Sequence, residues 1–495
     1  MGSVMFVRSS WFERPLSAGP HPAPSAAGGE IATWHIALDD TRHKCSPCRI
    51  VLGRGRRRRC IDGSRRRGLR ERATERTDSL CHIGVSMALS RNRGGYRSFQ
   101  YLEPGSDYRA FDLAAEVDRV EPYRVPLSAD EEARAEVFAR DHVMVSLHEH
   151  VGVFPERMED TPAYCREGRM VTAFDGLADC LWDAVFDNLM DGIGSIHSRN
   201  GWQWEDVVHD LGMRLCDLGH QDFLIHCKRV DDITRAHAEG RIAWVASMEG
   251  AAMIENDLDR IDILFGLGVR ALGITYSEAN ALGYGLKELN DGGLSVFGRR
   301  AVERMNKVGM LIDCSHCGDQ TTRDTIETSE HPIILSHIGA RALWESNRLA
   351  PEHVLEACAA KGGVIGIEAA PHTTLTYDRR VHDLEAFMEH FEYVKALVGI
   401  DHVGFGPDSL YGDHVGLHHT YAANLSLKES GPEASDTSGR DQSYEEVEYV
   451  KGLENPTEGS HNILRWLVKD GYGDEDMTKV LGGNALRVMS EVWPG

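Results

Sequence analysis

Residues Gly309–Gly339 read GMLIDCSHCGDQTTRDTIETSEHPIILSHIG, and this stretch decides the fold. Two short apolar runs, Met310-Leu311-Ile312 and Ile333-Ile334-Leu335, flank a helical pattern of roughly ten residues, which predicts a βαβ unit with buried parallel strands. Each run leads into the same dipeptide, Ser315-His316 after the first and Ser336-His337 after the second. In βαβ architectures ligands and catalysis gather at the C-terminal ends of strands. A single histidine there is more often a satisfied structural residue. Two at equivalent positions of consecutive strands point instead to neutral imidazoles converging on a metal.

The same alternation extends in both directions. Upstream, Val143–Leu147 reads as a strand that runs into His148-Glu149-His150, followed by a helix-rich region with Thr172–Met190 and Trp204–Leu218. Ile242–Met248 is the next strand, ending at Glu249-Gly250. A helix over Leu258–Leu267 then precedes the strand Val269–Thr275. Downstream come a helix from Pro351, the strand Gly363–Glu368, a helix over Leu384–Leu397, and the strand His402–Gly406 leading to Asp408. Tyr411–Gln442 is polar and carries His414, His418 and His419, so it is expected as a long loop and a candidate lid. Two amphipathic helices follow from His461. This pattern predicts an α/β chain whose residues 107–492 form a (β/α)8 TIM-type barrel, with a metal site at the C-terminal ends of its strands.

Composition narrows the function classes. The 495 residues are 42% hydrophobic, enough for a large core, and carry a net charge of −23, which argues against nucleic acid as the main partner. No apolar run approaches the roughly 18 residues of a membrane span, so no membrane partner is expected. Eleven scattered cysteines suggest reduced thiols, and a cytoplasmic enzyme is the default expectation. Residues 1–87 hold 16 Lys and Arg against 8 Asp and Glu, leaving a net −31 on the rest. This reversal, with Arg56–Arg59 and Arg65–Arg67, marks residues 1–86 as a disordered basic extension or a mis-assigned start, Met87 being the sensible alternative. Cys45 and Cys48 form a CxxC without a second pair at zinc-finger spacing, which is a weak metal signal.

The candidate ligands are therefore His148, His150, Glu249, His316, His337 and Asp408, each at a strand end. His-X-His on an extended strand puts both imidazoles on one face, because strand periodicity is two. Glu249 can bridge two divalent cations, and two cations a few ångströms apart can activate one water and polarise one carbonyl. Asp408 would then carry the proton between that water and a leaving amine.

These residues and the stretches Gly292–Gly298, Ile312–His316, Leu335–Arg341, Gly399–Gly404, Gly452–Asn455 and Leu481–Asn484 resemble the membrane dipeptidase (renal dipeptidase-like, peptidase M19) family of the amidohydrolase superfamily, over roughly residues 107–492. The resemblance implies one metal held by the His148/His150 motif with Glu249, and a second held by Glu249, His316 and His337. It makes Asp408 the acid/base residue and Arg348 the clamp on a substrate carboxylate, which the planar guanidinium fork suits. Tyr276 and Asn280 complete the candidate substrate-binding set. Two departures stand out. The family's first motif is His-X-Asp where this chain has His150, and Tyr276 replaces a family histidine that helps hold the scissile carbonyl. Tyrosine can still donate to a developing oxyanion.

The expectation is a hydrolase with two divalent cations, zinc the first candidate, that cleaves the amide bond of a small carboxylate-bearing substrate. A dipeptide leads, with a homodimer as the candidate assembly. The alternatives are a non-peptide amide, such as an N-acyl amino acid, a lactam or a specialised metabolite, or a barrel that binds metal without catalysis.

Overall fold

A computed structural model of the chain describes residues 93–189, 203–371, 373–425 and 441–494. The basic extension 1–86, its CxxC and the second half of the expected 411–442 loop lie outside the described residues.

Among the described residues eleven strands join in one sheet: β1 (Val145–Val153), β2 (Val171–Thr172), β3 (Ala184–Leu189), β4 (Leu224–His226), β5 (Ile242–Met248), β6 (Val269–Gly273), β7 (Leu311–Asp313), β8 (Ile334–Ile338), β9 (Val364–Ile367), β10 (Val403–Phe405) and β11 (Ser409–Tyr411). Their order is β10-β9-β8-β7-β6-β5-β3-β1-β11, with β2 and β4 paired to β1 and β5 off this path. All these pairings are parallel except β1 with β2. The sheet curls strongly, since its two edges, β10 and β11, are linked by only Gly406-Pro407-Asp408. The architecture is thus an α/β fold on a curled parallel sheet, with helices such as Trp204–Leu218, Val296–Val308 and Leu384–Val398 between strands.

Both faces of the sheet are dry, as parallel sheets require. On β5, Ala243 and Val245 join an inner cluster with Leu147, Phe186, Ala271, Leu311, Ile334 and Val364, while Trp244, Ala246 and Met248 pack outward against the helices. The helix Asn484–Val492 and Trp493 supply Val488 and Met489 to that inner cluster. Continuing the alternation along β5, Glu249 faces inward just past the last rung. The strand bottoms are filled with apolar side chains, and the ends carry the polar ones.

The structure corrects several boundaries. The segment Thr172–Met190, read as helical, holds a short helix Phe174–Asp179 followed by β3. The run Ala184-Val185-Phe186 is buried on both faces, so it lacks the alternation that would have marked a strand. His148-Glu149-His150 lies within β1 rather than after it. The first half of the 411–442 segment is a helix, His414–Leu425, with His414 and His418 buried, not an open loop. Packing also begins ahead of residue 107: the buried Asp217 carboxylate accepts from Tyr96 Oη (2.6 Å), Ser98 Oγ (2.5 Å) and Phe99 N (2.9 Å). Among the described residues no helix is long and apolar enough to cross a membrane.

Close approach of strands near the site depends on glycine. A Cβ on Gly366 would stand 1.9 Å from the Ser336 carbonyl oxygen, and one on Gly273 equally close to the Glu249 carbonyl oxygen. Both contacts are backbone, which cannot swing aside. Gly366→Ala is therefore expected to cost about 3 kcal/mol of stability and to push β8, with His337, out of place. Denaturant titration alongside metal content checks this; wild-type stability with full metal uptake would show that β8 has room to move.

Candidate metal centre

Strand ends bring the candidate ligands together in a buried space. From β1, the Nε2 atoms of His148 and His150 lie 3.2 Å apart. From the ends of β7 and β8, the Nε2 atoms of His316 and His337 lie 3.0 Å apart. Glu249 Oε1 sits between the two pairs, 3.3 Å from His148 Nε2 and 3.4 Å from both His316 and His337 Nε2. Asp408 Oδ1 is 3.2 Å from His148 Nε2 and 3.0 Å from His150 Nε2. Two donor groups result, His148/His150/Glu249/Asp408 and Glu249/His316/His337, sharing the Glu249 carboxylate. A third grouping, His148/Asp313/His337, overlaps both.

The donors fit cations. A tetrahedral zinc with bonds of about 2.0–2.1 Å holds its ligand atoms about 3.3 Å apart, which matches these separations. Burial lowers the pKa of His148 and puts those of His316 and His337 well below the ordinary value, so their imidazoles are neutral with lone pairs to give. For Asp408 burial pulls upward, but the adjacent imidazoles of His148 and His150 outweigh it and hold the carboxyl well below the usual range. Its backbone φ of 61° is left-handed, a region Asp tolerates better than most residues and one that concentrates at functional sites.

A surrounding layer of polar groups orients the rings. His337 Nδ1 is 2.7 Å from Ser336 Oγ, whose hydroxyl also donates to Asp313 at 2.5 Å; Asp313 in turn accepts from Ser315 N, Ser315 Oγ and Ser336 N. His150 Nδ1 lies 3.2 Å from the Asn188 carbonyl oxygen, which leaves Nε2 as the ligating atom. Asn188 Nδ2 is 2.7 Å from His148 Nδ1 while Asn188 Oδ1 is buried without a partner. Turning that amide over lets Oδ1 accept from Nδ1–H and directs the His148 Nε2 lone pair into the cluster.

Tyr276 stacks on the His316 ring with centroids 4.2 Å apart. Burial, reinforced by the charges of Glu249 and Asp408, raises its pKa well above 10, so the phenol stays protonated and can donate. Arg348 also reaches the site, donating from Nη1 to Ser315 O (3.2 Å) and from Nη2 to His337 O (3.0 Å). Its Nη2 pairs at 2.5 Å with Glu368 Oε2, a carboxylate at the end of β9 that is fully buried. Burial pushes the Glu368 carboxyl up to about 7, against the opposite pull of Arg348.

Asn280 is placed differently. Its amide donates to Ile274 O at 2.8 Å and accepts from Leu282 N and Gly283 N, so its polar atoms are spent holding the turn after β6. Of the site residues expected from sequence, the structure gathers His148, His150, Glu249, His316, His337, Asp408, Tyr276 and Arg348, and leaves Asn280 supporting backbone.

Sequence reasoning passed over Glu368, Asp313 and Asn188, and placed His418 on a candidate lid rather than beside Asp408. Glu368 bore the same signal as Glu249, a carboxylate closing an apolar strand. His418 Nε2 is 3.3 Å from the Asp408 carbonyl oxygen, on a segment expected to be loop.

Comparison with known proteins agrees with the resemblance read from the sequence. The model of the membrane dipeptidase family (peptidase family M19) matches residues 207–423. The chain is 28% identical over 299 residues to dipeptidase aclJ of Aspergillus oryzae, covering 59% of this chain and 61% of that protein. It is 27% identical to dipeptidase tcpJ of Claviceps purpurea, over 57% of this chain and 58% of that one, and 25% identical to dipeptidase 3 of Rattus norvegicus, over 51% and 45%. The chain thus spans about three-fifths or less of the length of these curated relatives. Among solved structures, an amidohydrolase from Pseudomonas aeruginosa aligns with TM-score 0.58 at 22% identity, over 72% of this chain and 99% of that one. A metallo peptidase from Rhodobacter sphaeroides, liganded with a phosphinate mimic of the dipeptide L-Ala-D-Ala, aligns with TM-score 0.50 at 20% identity, over 71% and 100%. These two likenesses concern the fold.

Metal content distinguishes a ligand from a proton carrier. Glu249→Gln and His337→Ala are each expected to strip metal and lower activity by at least about 100-fold, whereas Asp408→Asn keeps metal and loses turnover. Metal analysis beside steady-state kinetics reads both; equal metal loss in Asp408→Asn and Glu249→Gln would make Asp408 a ligand first.

Proposed function

From the premise that residues 207–423 match the membrane dipeptidase family, we propose that this chain is a metal-dependent hydrolase that cleaves the amide bond of a small substrate, with dipeptides the leading class. The observation that carries this reading is the pair of buried donor groups joined by the Glu249 carboxylate. Support also comes from relatives named as dipeptidases. In this reading the curled sheet is a closed (β/α)8 barrel, its last strand split into β10 and β11, with the reaction at the strand ends.

His148, His150 and Glu249 would hold one divalent cation and Glu249, His316 and His337 a second, zinc being the first candidate by its preference for imidazole and carboxylate in four-coordinate sites. When bound, such a pair supplies Lewis acidity and lowers the pKa of water at the site. The remaining work falls to the chain. Asp408, held ionised, takes a proton from the attacking water and returns it to the leaving nitrogen. Tyr276 Oη donates to the carbonyl oxygen as negative charge develops on it. The Asp313–Ser336 network fixes the His337 ring, so that catalytic groups need little reorganisation as charge moves.

A second reading keeps the chemistry and changes the substrate to a non-peptide amide. It is favoured by His150 and Tyr276, both beside the reacting groups and both departing from the residues the resemblance leads one to expect.

The test is amine release from a panel of dipeptides, C-terminally amidated dipeptides and N-acyl amino acids by the zinc-loaded full chain. Release from at least one dipeptide, abolished by chelation and by Asp408→Asn, is expected. Release from N-acyl amino acids alone would select the second reading, and none from a protein with metal bound would overturn hydrolysis.

A further inference from the structure

Arg348 has the place of a carboxylate clamp but not the free donors. A guanidinium grips a carboxylate with two parallel N–H bonds, end-on through Nη1 and Nη2 or side-on through Nε and Nη2. Both forks need Nη2. In this chain one of its hydrogens goes to His337 O at 3.0 Å, and Glu368 Oε2 stands 2.5 Å from the same nitrogen as an ion pair, in the place a substrate oxygen would take. Nη1 spends one of its own on Ser315 O at 3.2 Å.

Glu368 is poorly placed to withdraw. Its side chain is 0% exposed, and its other oxygen accepts from Thr373 Oγ1 at 2.8 Å. Its backbone N–H reaches Ile338 O at 3.3 Å, and its carbonyl accepts from Thr374 Oγ1 at 3.2 Å. A substrate carboxylate that displaced it would leave a buried charge without its counter-ion, a costly exchange. The next cation toward the site is also attended: Lys287, which acts electrostatically on His316, itself feels the neighbouring carboxylate of Glu278.

We propose that Glu368 is a specificity residue that pre-empts Arg348, so that the substrate presents an uncharged carbonyl group there, an amide, ester or lactam, rather than a free carboxylate. Arg348 then offers single N–H donors from Nε and Nη1, which suit one carbonyl oxygen. The inference rests on the amide-hydrolase reading and narrows its substrate class. The dipeptides to favour are those whose C-terminal side is blocked or closed.

The test uses a ligand that cannot be cleaved, so that binding and turnover fail separately. The phosphinate mimic of L-Ala-D-Ala, as its free acid and as its C-terminal primary amide, is titrated calorimetrically into the zinc-loaded full chain at pH 8, where Glu368 is ionised. The amide is expected to bind at least about tenfold more tightly than the acid, and Glu368→Gln to improve acid binding by a similar factor while changing amide binding little. Wild-type protein that binds the acid as tightly as the amide, or that binds neither, overturns the proposal, and this comparison needs no variant to fold. Loss of the amide-hydrolase reading would show instead as absence of metal-dependent amine release from the substrate panel, whatever the calorimetry gives.

Discussion

Four imidazole lone pairs and one carboxylate oxygen face each other across 3.0–3.4 Å inside the protein, and the rest of the site depends on what reconciles them. Neutral Nε2 atoms at that distance repel unless a proton or a cation lies between them. Protons are disfavoured, because burial holds His316 and His337 well below the ordinary imidazole range. Divalent cations satisfy every one of these donors at once and bring the charge that Glu249 and Asp408 offset. The supporting hydrogen bonds then make sense as devices that turn the rings of His148, His150 and His337 to present Nε2.

The fold supplies this convergence through division of labour along each strand. Lower rungs carry Ala243, Val245, Leu311, Ile334 and Val364 into a dry inner cluster, which fixes strand spacing. Upper ends carry the titratable groups. Gly273 and Gly366 let neighbouring backbones approach more closely than any side chain would allow. Irregularities sit at the same level: the β1 ladder slips register between Ser146 and Glu149, and Asp408 adopts a left-handed φ at the break between β10 and β11. Regular structure builds the scaffold, and departures from it aim the reactive groups.

Much of this was legible in the residues. Continuous apolar runs, most of them closed by His, Glu or Asp, gave seven of the parallel strands within a few residues and every proposed ligand, because a strand buried on both faces has an unmistakable composition when turns bracket it. The pattern failed where composition was ambiguous. Ala184-Val185-Phe186 was read as helix, and β4, with three residues, was too short to carry a period. Asn280 looked like a substrate contact because the turn that consumes its amide is a matter of backbone geometry. The Arg348–Glu368 pair was hidden for a different reason: the partners are 20 positions apart on separate elements, and only folding reveals that one neutralises the other.

The central claim is that two cations share Glu249. Anomalous diffraction at the zinc edge, on crystals of the full chain grown with zinc, tests it most directly. The account predicts two peaks, one among His148, His150 and Glu249 and one among Glu249, His316 and His337, with the carboxylate of Glu249 between them. A single peak, or zinc bound only away from these side chains, would contradict it.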